Sequence, residues 1–427
     1  MAVAIGMLGA GTVGGTVVRR LTAEHAFVAA KTGLEFEVRR IAVRSLDKTR
    51  GFEVPAGVIT DRPGDVVVDP DIDLIVEVMG GTDPAGSLVL AALQAGKPVV
   101  TANKELIAGR GPELFAAAAA GGMPLLFEAA VGGGIPIIRP LTETLAGEQI
   151  GRVMGIVNGT TNFMLTTMSE DGRDYHEALA EAQARGYAEP DPGDDVSGTD
   201  AASKASILAS LAFGTWVGPE HVYREGIERL SPLDLRFAAD LGYAVKLLAI
   251  ATRTEAGVSA RVHPAMVPLE HPLASIRGAT NAVFIEGPSI DELLFAGPGA
   301  GGEPTATAVL GDVIDAAREL LSGSQVAPRI RFGSGEVIDI DDVVTKWYLR
   351  LEVADRPGVL AQIAATFGEA GVSIKSVWQE GRGDEATLLL VTHGAPEGRQ
   401  RAATAALGDL DVVAEVAAVI RVESDEV

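Results

Sequence analysis

The sequence predicts an α/β protein in three parts, on three observations. A short apolar run closes on Gly9-Ala10-Gly11-Thr12-Val13-Gly14. Strands and helices then alternate as far as residue 135, and the pattern after residue 346 reads β-α-β-β-α-β. The parts are an N-terminal Rossmann-type parallel sheet over 1–135, a central α+β region over 136–303, and a ferredoxin-like module over 346–427. A helix at about 304–322 is expected to return to the first part and complete it.

Val3 to Leu8, the glycine turn and a helical segment through Leu21 follow in the order a dinucleotide fingerprint requires. Gly9 permits the tight turn, Gly11 lets backbone approach a pyrophosphate, and Gly14 lets helix and strand pack closely. Free amides at the helix start would face the phosphates. A second strand, Phe36 to Val43, ends at Arg44, where an acidic residue would ordinarily hold ribose hydroxyls. Arg44, with Lys48 nearby, suits a 2′-phosphate and points to NADP, or to tolerance of both NADP(H) and NAD(H). An exposed loop arginine is the simpler alternative.

The rhythm continues through a strand at Asp73 to Val78, a helix at Leu88 to Ala95 and a strand at Pro98 to Thr101 leading to Lys104. Leu114 to Ala120 reads as helix, and Pro124 to Phe127 as a strand entering Glu128 to Pro136. Ligands of open parallel sheets bind at the carboxyl ends of strands, where Thr101, Lys104, Glu128 and the loop glycines fall. Lys104 reads equally well as an ordinary helix-start lysine.

Beyond Pro136, a strand at Arg152 to Val157 ends in Asn158-Gly159-Thr160-Thr161-Asn162, suited to a small polar ligand or to a capped turn. An acidic loop with Glu189, Asp191, Asp194 and Asp195 then meets Ser197-Gly198-Thr199-Asp200. Ser and Thr there predict a helix start near Thr199, with Asp200 and Lys204 four apart on one face. A lysine among carboxylates can hold or deliver a proton, or grip a charged substrate. It can also be a plain surface ion pair. Val258 to Val262 and Val283 to Glu286 alternate like half-exposed strands. Gly297 to Pro304 forms a second glycine turn opening a helix, with Gly301, Gly302 and Glu303 as further cofactor-contact candidates. Asp339 to Thr345 reads as a linker. The last module follows as strands at Trp347 to Val353, Ser373 to Trp378, Thr387 to Val391 and Val416 to Val422. Its helices are at Val359 to Gly371 and Gln400 to Leu407.

Composition narrows the chemistry. Net charge is −23 over 427 residues, which argues against nucleic acid or an anionic membrane as partner. With no cysteine, disulfides, thiolate metal sites and thioester-forming aldehyde dehydrogenases are excluded. The six histidines show no close metal-ligand spacing. No stretch reads as a signal peptide or membrane span, so the expected location is the cytoplasm.

The segments GAGTVG at 9–14, TANK at 101–104, EAAVGGGIP at 128–136, NGTTNF at 158–163, GYAEPDPGDDVSGTDAASK at 186–204 and GPGAGGEPTATAV at 297–309 stand in register. Together they resemble homoserine dehydrogenases over essentially the full length, and DRPGVL at 355–360 resembles the start of an ACT domain. The resemblance implies NAD(P)H-dependent reduction of L-aspartate 4-semialdehyde to L-homoserine, on the way to threonine and methionine. It makes Lys104 and Lys204 the catalytic lysines, and Glu189 and Asp200 the substrate-site acids; Asn158, Thr160 and Asp195, from the polar and acidic loops, are the further substrate-site candidates. It makes Thr12, Val13, Arg44, Thr101 and Gly301-Gly302-Glu303 cofactor contacts. Glu128 with the carbonyls of Val131, Gly133 and Ile135 matches a sodium site. The central region would serve substrate binding and dimerisation, in a homodimer or homotetramer, and the ACT module would sense threonine. The fingerprint at residue 9 leaves no room for the aspartate kinase fused ahead of some relatives.

Two rivals fit less of the chain. An ACT-containing 2-hydroxyacid dehydrogenase would carry its fingerprint in mid-chain and a catalytic His–Glu pair. A nucleotide-sensing regulatory protein would leave Lys104, Glu189, Asp200 and Lys204 without work.

Overall fold

The structure, a computed structural model, describes residues 2–323, 330–380 and 386–423. The chain forms two compact units. One comprises Met1–Ile150, Ser206–Pro219 and Asn281–Gly335; the other comprises Gly151–Ala205, Glu220–Thr280 and Glu336–Val427. The span 136–303 is thus shared between them, and 424–427, the end of the third expected part, lies outside the described residues.

The first unit holds six parallel strands: β1 (Val3–Leu8), β2 (Phe36–Ala42), β3 (Ile59–Thr60), β4 (Leu74–Glu77), β5 (Val99–Thr101) and β6 (Leu125–Leu126). Their order is β3-β2-β1-β4-β5-β6, so the chain reverses direction across the sheet at β1. β1 and β4 are buried at every residue, as strands between two helical layers must be. Helix Thr12–Ala23 buries Val17, Val18 and Leu21, and helix Gly302–Ser322 buries Ala306, Val309, Val313 and Ala317, all in one core with β1 and β4. The returning helix expected at about 304–322 is therefore present and begins at Gly302.

The helix after β5 is longer than its sequence suggests. It runs Lys104–Gly121, whereas only Leu114 to Ala120 reads as helical, because Gly109, Gly111 and Pro112 interrupt the pattern. Packing outweighs those breakers. Asn103 caps the start by accepting the Leu106 amide at 3.1 Å, Leu106, Ile107 and Leu114 are buried, and Gly111 sits where a Cβ would lie 2.3 Å from Trp216.

In the second unit, strands run in the order Arg152–Ile156, Tyr243–Thr254, Gly257–Pro268, Val413–Val422, Val344–Val353, Ala386–Thr392 and Ile374–Glu380. The last four, with helices Val359–Glu369 and Glu397–Gly408, form the expected ferredoxin-like module. Its core joins Leu349, Leu351, Ile363, Phe367, Leu388, Leu390 and Leu407. Strand Val413–Val422 pairs antiparallel with Val344–Val353 and, at its end, parallel with Gly257–Pro268. The module therefore continues the central sheet.

One expectation is corrected. Val258 to Val262 alternates apolar and polar, which predicts one wet face, yet every residue from Val258 to Val267 is buried. The polar members face partners instead of water: the Arg261 guanidinium reaches Glu423, and the His263 ring contacts the Pro264 carbonyl at 3.0 Å. Asn281 to Ile285 is likewise buried throughout.

Candidate active site

β1 delivers the chain to Gly9, whose φ of +106° is open only to glycine. A Cβ there would lie 2.7 Å from the Val78 carbonyl oxygen, and one at Gly14 would lie 2.4 Å from that of Gly9. The first and third glycines are thus required by backbone contact. The second is different: nothing approaches within 4 Å of a Cβ at Gly11. Gly11 also caps helix Thr12–Ala23 with no side-chain bond to its first amides. Open space beside free amides of Thr12, Val13 and Gly14 fits a pyrophosphate.

The second glycine turn adjoins the first. Gly301 has φ +117°, and a Cβ on Gly302 would lie 3.1 Å from Thr16 Oγ1 and 3.2 Å from Thr12 Cγ2. Glu303 forms an ion pair with Arg19. The loop after β6 meets this turn too. The Gly134 amide donates to the Pro298 carbonyl at 3.0 Å, and a Cβ on Gly133 would lie 2.4 Å from the Gly299 oxygen. Arg44 and Lys48 are exposed just beyond β2, the strand beside β1.

At the end of β5, the Thr101 hydroxyl donates to Glu77 Oε2 at 2.6 Å and accepts the Asn103 amide at 3.0 Å. Burial raises the Glu77 carboxyl above its ordinary value, against the Thr101 hydrogen bond. Lys104, half-buried, is the first residue of the next helix. Glu128 is buried, and its carboxylate accepts the amides of Ile137, Ile138 and Arg139, at 2.5, 2.8 and 2.9 Å. Val131 and Ile135 are buried, with Gly133 between them at φ +54°.

In the second unit, helix Thr199–Phe213 begins where the sequence places it. The Lys204 ammonium donates to Asp200 Oδ2 and to the Val157 carbonyl, both at 2.7 Å. Asn158 Nδ2 bridges two carboxylates, donating to Asp195 Oδ1 at 2.7 Å and Asp200 Oδ2 at 2.9 Å. Its Oδ1 accepts the Thr161 amide at 2.9 Å, capping helix Gly159–Asp171. Burial, and then the neighbouring Asp200 charge, raise the Asp195 carboxyl, against the Asn158 hydrogen bond. The Lys204 and Asp200 side chains are only 12% and 11% exposed, so the bland alternative of a surface ion pair does not describe them. The Thr160 hydroxyl donates to the Tyr187 carbonyl at 2.7 Å, fixing the acidic loop. Glu189 is exposed on that loop, and its carbonyl accepts the Gln183 side-chain amide at 3.2 Å.

Comparisons with known proteins agree along the whole chain. The family description "Homoserine dehydrogenase, NAD binding domain" matches residues 9–128, "Homoserine dehydrogenase" matches 136–314, and "ACT domain" matches 347–412. A homoserine dehydrogenase of Corynebacterium glutamicum is 46% identical over 99% of this chain and 96% of its own. One of Mycobacterium tuberculosis is 47% identical over 99% and 98%. The crystal structure of a homoserine dehydrogenase from Thiobacillus denitrificans superposes with TM-score 0.92 at 41% identity, covering 99% of each chain. The chain belongs to the homoserine dehydrogenase family. It is an α/β oxidoreductase with a NAD(P)-binding domain and a C-terminal ACT domain. A hyperthermophilic archaeal homoserine dehydrogenase solved with NADPH matches 76% of this chain, with TM-score 0.62 and 30% identity. Among the described residues no helix is long and apolar enough to cross a membrane.

Several supporting residues escape sequence reasoning. Glu77 left one trace, a carboxylate inside the apolar run Leu74 to Val78. Arg19, Tyr187 and the Val157 carbonyl left none, since their contacts span distant parts of the chain or use backbone alone.

Proposed function

We propose that the chain reduces L-aspartate 4-semialdehyde reversibly to L-homoserine with NAD(P)H, in threonine, methionine and isoleucine biosynthesis. The observation that carries this reading is the shielded Lys204–Asp200 pair, joined through Asn158 to Asp195 in a chain of this family. The nicotinamide supplies a hydride; the residues must manage the oxygen that receives the electron pair. That oxygen develops alkoxide charge and must be stabilised and protonated. Lys204 donates the proton to the new hydroxyl. Two of its three N–H groups are held by Asp200 and Val157, which aims the third. Asp200 orients the ammonium, and Asn158 fixes Asp200 against Asp195. Lys104 polarises the carbonyl, and Glu189 pairs with the substrate amino group. Residues 1–135 with the returning helix would hold the cofactor, 136–303 the substrate, and 346–427 the effector. Reduction of NADP⁺ on addition of homoserine tests the reading; no NADPH formed with homoserine, at any pH where the protein is folded, contradicts it.

Arg44 and Lys48 favour NADP(H) over NAD(H). Replacing Arg44 with Ser is expected to raise KM for NADP⁺ by about tenfold and leave that for NAD⁺ within a factor of about two, since one charge-assisted phosphate contact contributes on the order of 1.5–3 kcal/mol. Equal changes for both cofactors would show that Arg44 does not read the 2′-phosphate.

Glu128 with the carbonyls of Val131, Gly133 and Ile135 would supply an all-oxygen donor set of the kind hard cations take. A sodium ion there would fix the loop that meets the second glycine turn. Threonine is the proposed effector, bound by the ACT module. Full-length enzyme titrated with threonine is expected to lose activity at saturation; flat activity rules this out. Truncation is a poor substitute, because strand Val413–Val422 belongs to the central sheet. A cytoplasmic homodimer or homotetramer completes the reading.

A further inference from the structure

Arg421 is the largest fully buried side chain in the described protein, and no step of the chemistry uses it. It lies on the last strand of the ACT module, opposite Ala265 on one side and Trp347 on the other. Its guanidinium donates to Glu397 Oε1 at 3.1 Å and Oε2 at 3.0 Å, and to the Tyr223 hydroxyl at 3.1 Å. It sits over the Trp347 ring, 5.0 Å from the centroid. Its remaining edge reaches outside the module, to Glu225, which also accepts the Tyr223 hydroxyl. Burying a charge this deeply is costly unless every face is satisfied, and a hydrophobic replacement is often as stable. Arg421 therefore demands an explanation other than stability.

Glu225 supplies one. Its amide donates to the Val262 carbonyl at 2.8 Å, holding the segment to the central sheet. The next residue, Gly226, packs so closely that a Cβ would lie 2.2 Å from the Val196 oxygen and 2.8 Å from Ser197 Cα. The Ile227 amide then donates to that Val196 oxygen at 2.9 Å. From the other side, Gly198, at φ +80°, would place a Cβ 3.3 Å from the Glu225 carbonyl oxygen. Residues 225–227 thus form a backstop for residues 196–198. Asp195 directly precedes that stretch and Thr199-Asp200 directly follows it.

We infer that Glu225, gripped by Arg421, is a positioning residue for the Asp195–Asp200 segment, and that the ACT module thereby sets the geometry of the substrate site. This rests on the proposed reading of Asp195 and Asp200 as substrate-site residues. The Arg421–Glu225 contact crosses from the ACT module to the loop that backs those acids, so the module shapes substrate affinity even without an effector.

The test uses Glu225→Gln in the full-length enzyme. The Glu225 side chain is 37% exposed, and Gln keeps its volume while removing the charge that Arg421 holds. The expected result is a KM for homoserine raised about tenfold with the KM for NADP⁺ unchanged, because displaced binding groups lose substrate affinity selectively. Glu225→Asp, which keeps the charge one carbon short, is expected to fall between wild type and Gln. An unchanged homoserine KM overturns the inference. So does a rise shared equally by NADP⁺ and accompanied by a lower midpoint, which would mean general loosening. Should Glu225→Gln not fold, Tyr223→Phe removes only the bridging hydroxyl. It is expected to raise the homoserine KM about threefold, and an unchanged value overturns the inference equally. If wild-type enzyme shows no homoserine-dependent NADP⁺ reduction, the functional reading fails; if wild type is active and the variants match it, only this inference does.

Discussion

Replacing Lys204 with Met is expected to lower kcat for homoserine oxidation by about 10²- to 10⁴-fold, the range for losing a positioned acid or base. NADPH binding is expected to be unchanged, since Lys204 belongs to the second unit and the glycine turns to the first. Met nearly preserves the length and apolar stem of the side chain, so the helix Thr199–Phe213 keeps its packing. What is lost is the ammonium that Asp200 and the Val157 carbonyl hold at 2.7 Å. Asp200 would then face Asn158 without its cation, and homoserine KM should rise less than kcat falls. Steady-state kinetics with fluorescence titration of NADPH check both. Turnover within a factor of about ten of wild type would remove Lys204 from the proton path.

Replacing Arg350 with Met is expected to destabilise the second unit by about 3–5 kcal/mol, the cost of stranding a buried charge. Arg350 lies on the first strand of the ACT module and its Nε donates to Asp234 Oδ1 at 2.7 Å. Asp234 is fully buried and closes a capping box with Ser231 at the start of helix Pro232–Asp240. Without Arg350, that carboxylate keeps, among the described residues, the Ser231 hydroxyl and amide as hydrogen-bond partners. The midpoint of urea unfolding, followed by tryptophan fluorescence, is expected to fall. Replacing Asp234 with Asn in the same chain is expected to recover part of the loss, because the stranded charge goes with it. An unshifted midpoint for Arg350→Met would mean the pair contributes nothing net.

Much of this architecture is legible in the sequence because it is written locally. Gly9, Gly11 and Gly14 follow an apolar run, and the close backbone contacts at Gly9 and Gly14 are what that spacing anticipates. Ser197-Gly198-Thr199-Asp200 marks the helix start and puts Lys204 on the same face as Asp200. Where the pattern misleads, the cause is tertiary. Pro112 breaks a helical pattern that Leu106, Ile107 and Leu114 hold together by burial. Ser259, Arg261 and His263 signal a wet face where the polar groups are buried, and Arg261 is paired inside. Partners such as Arg421 and Glu225, 196 residues apart, leave no periodic trace at all.

The proposed proton path needs the Lys204 ammonium and the Asp200 carboxylate that holds it at 2.7 Å to act as one unit. Groups acting as a unit give non-additive losses. Measuring kcat for homoserine oxidation by Lys204→Met, Asp200→Asn and the double variant tests this most directly. The expected result is a double variant about as slow as the slower single. Losses that multiply, each group contributing its full factor regardless of the other, would contradict it.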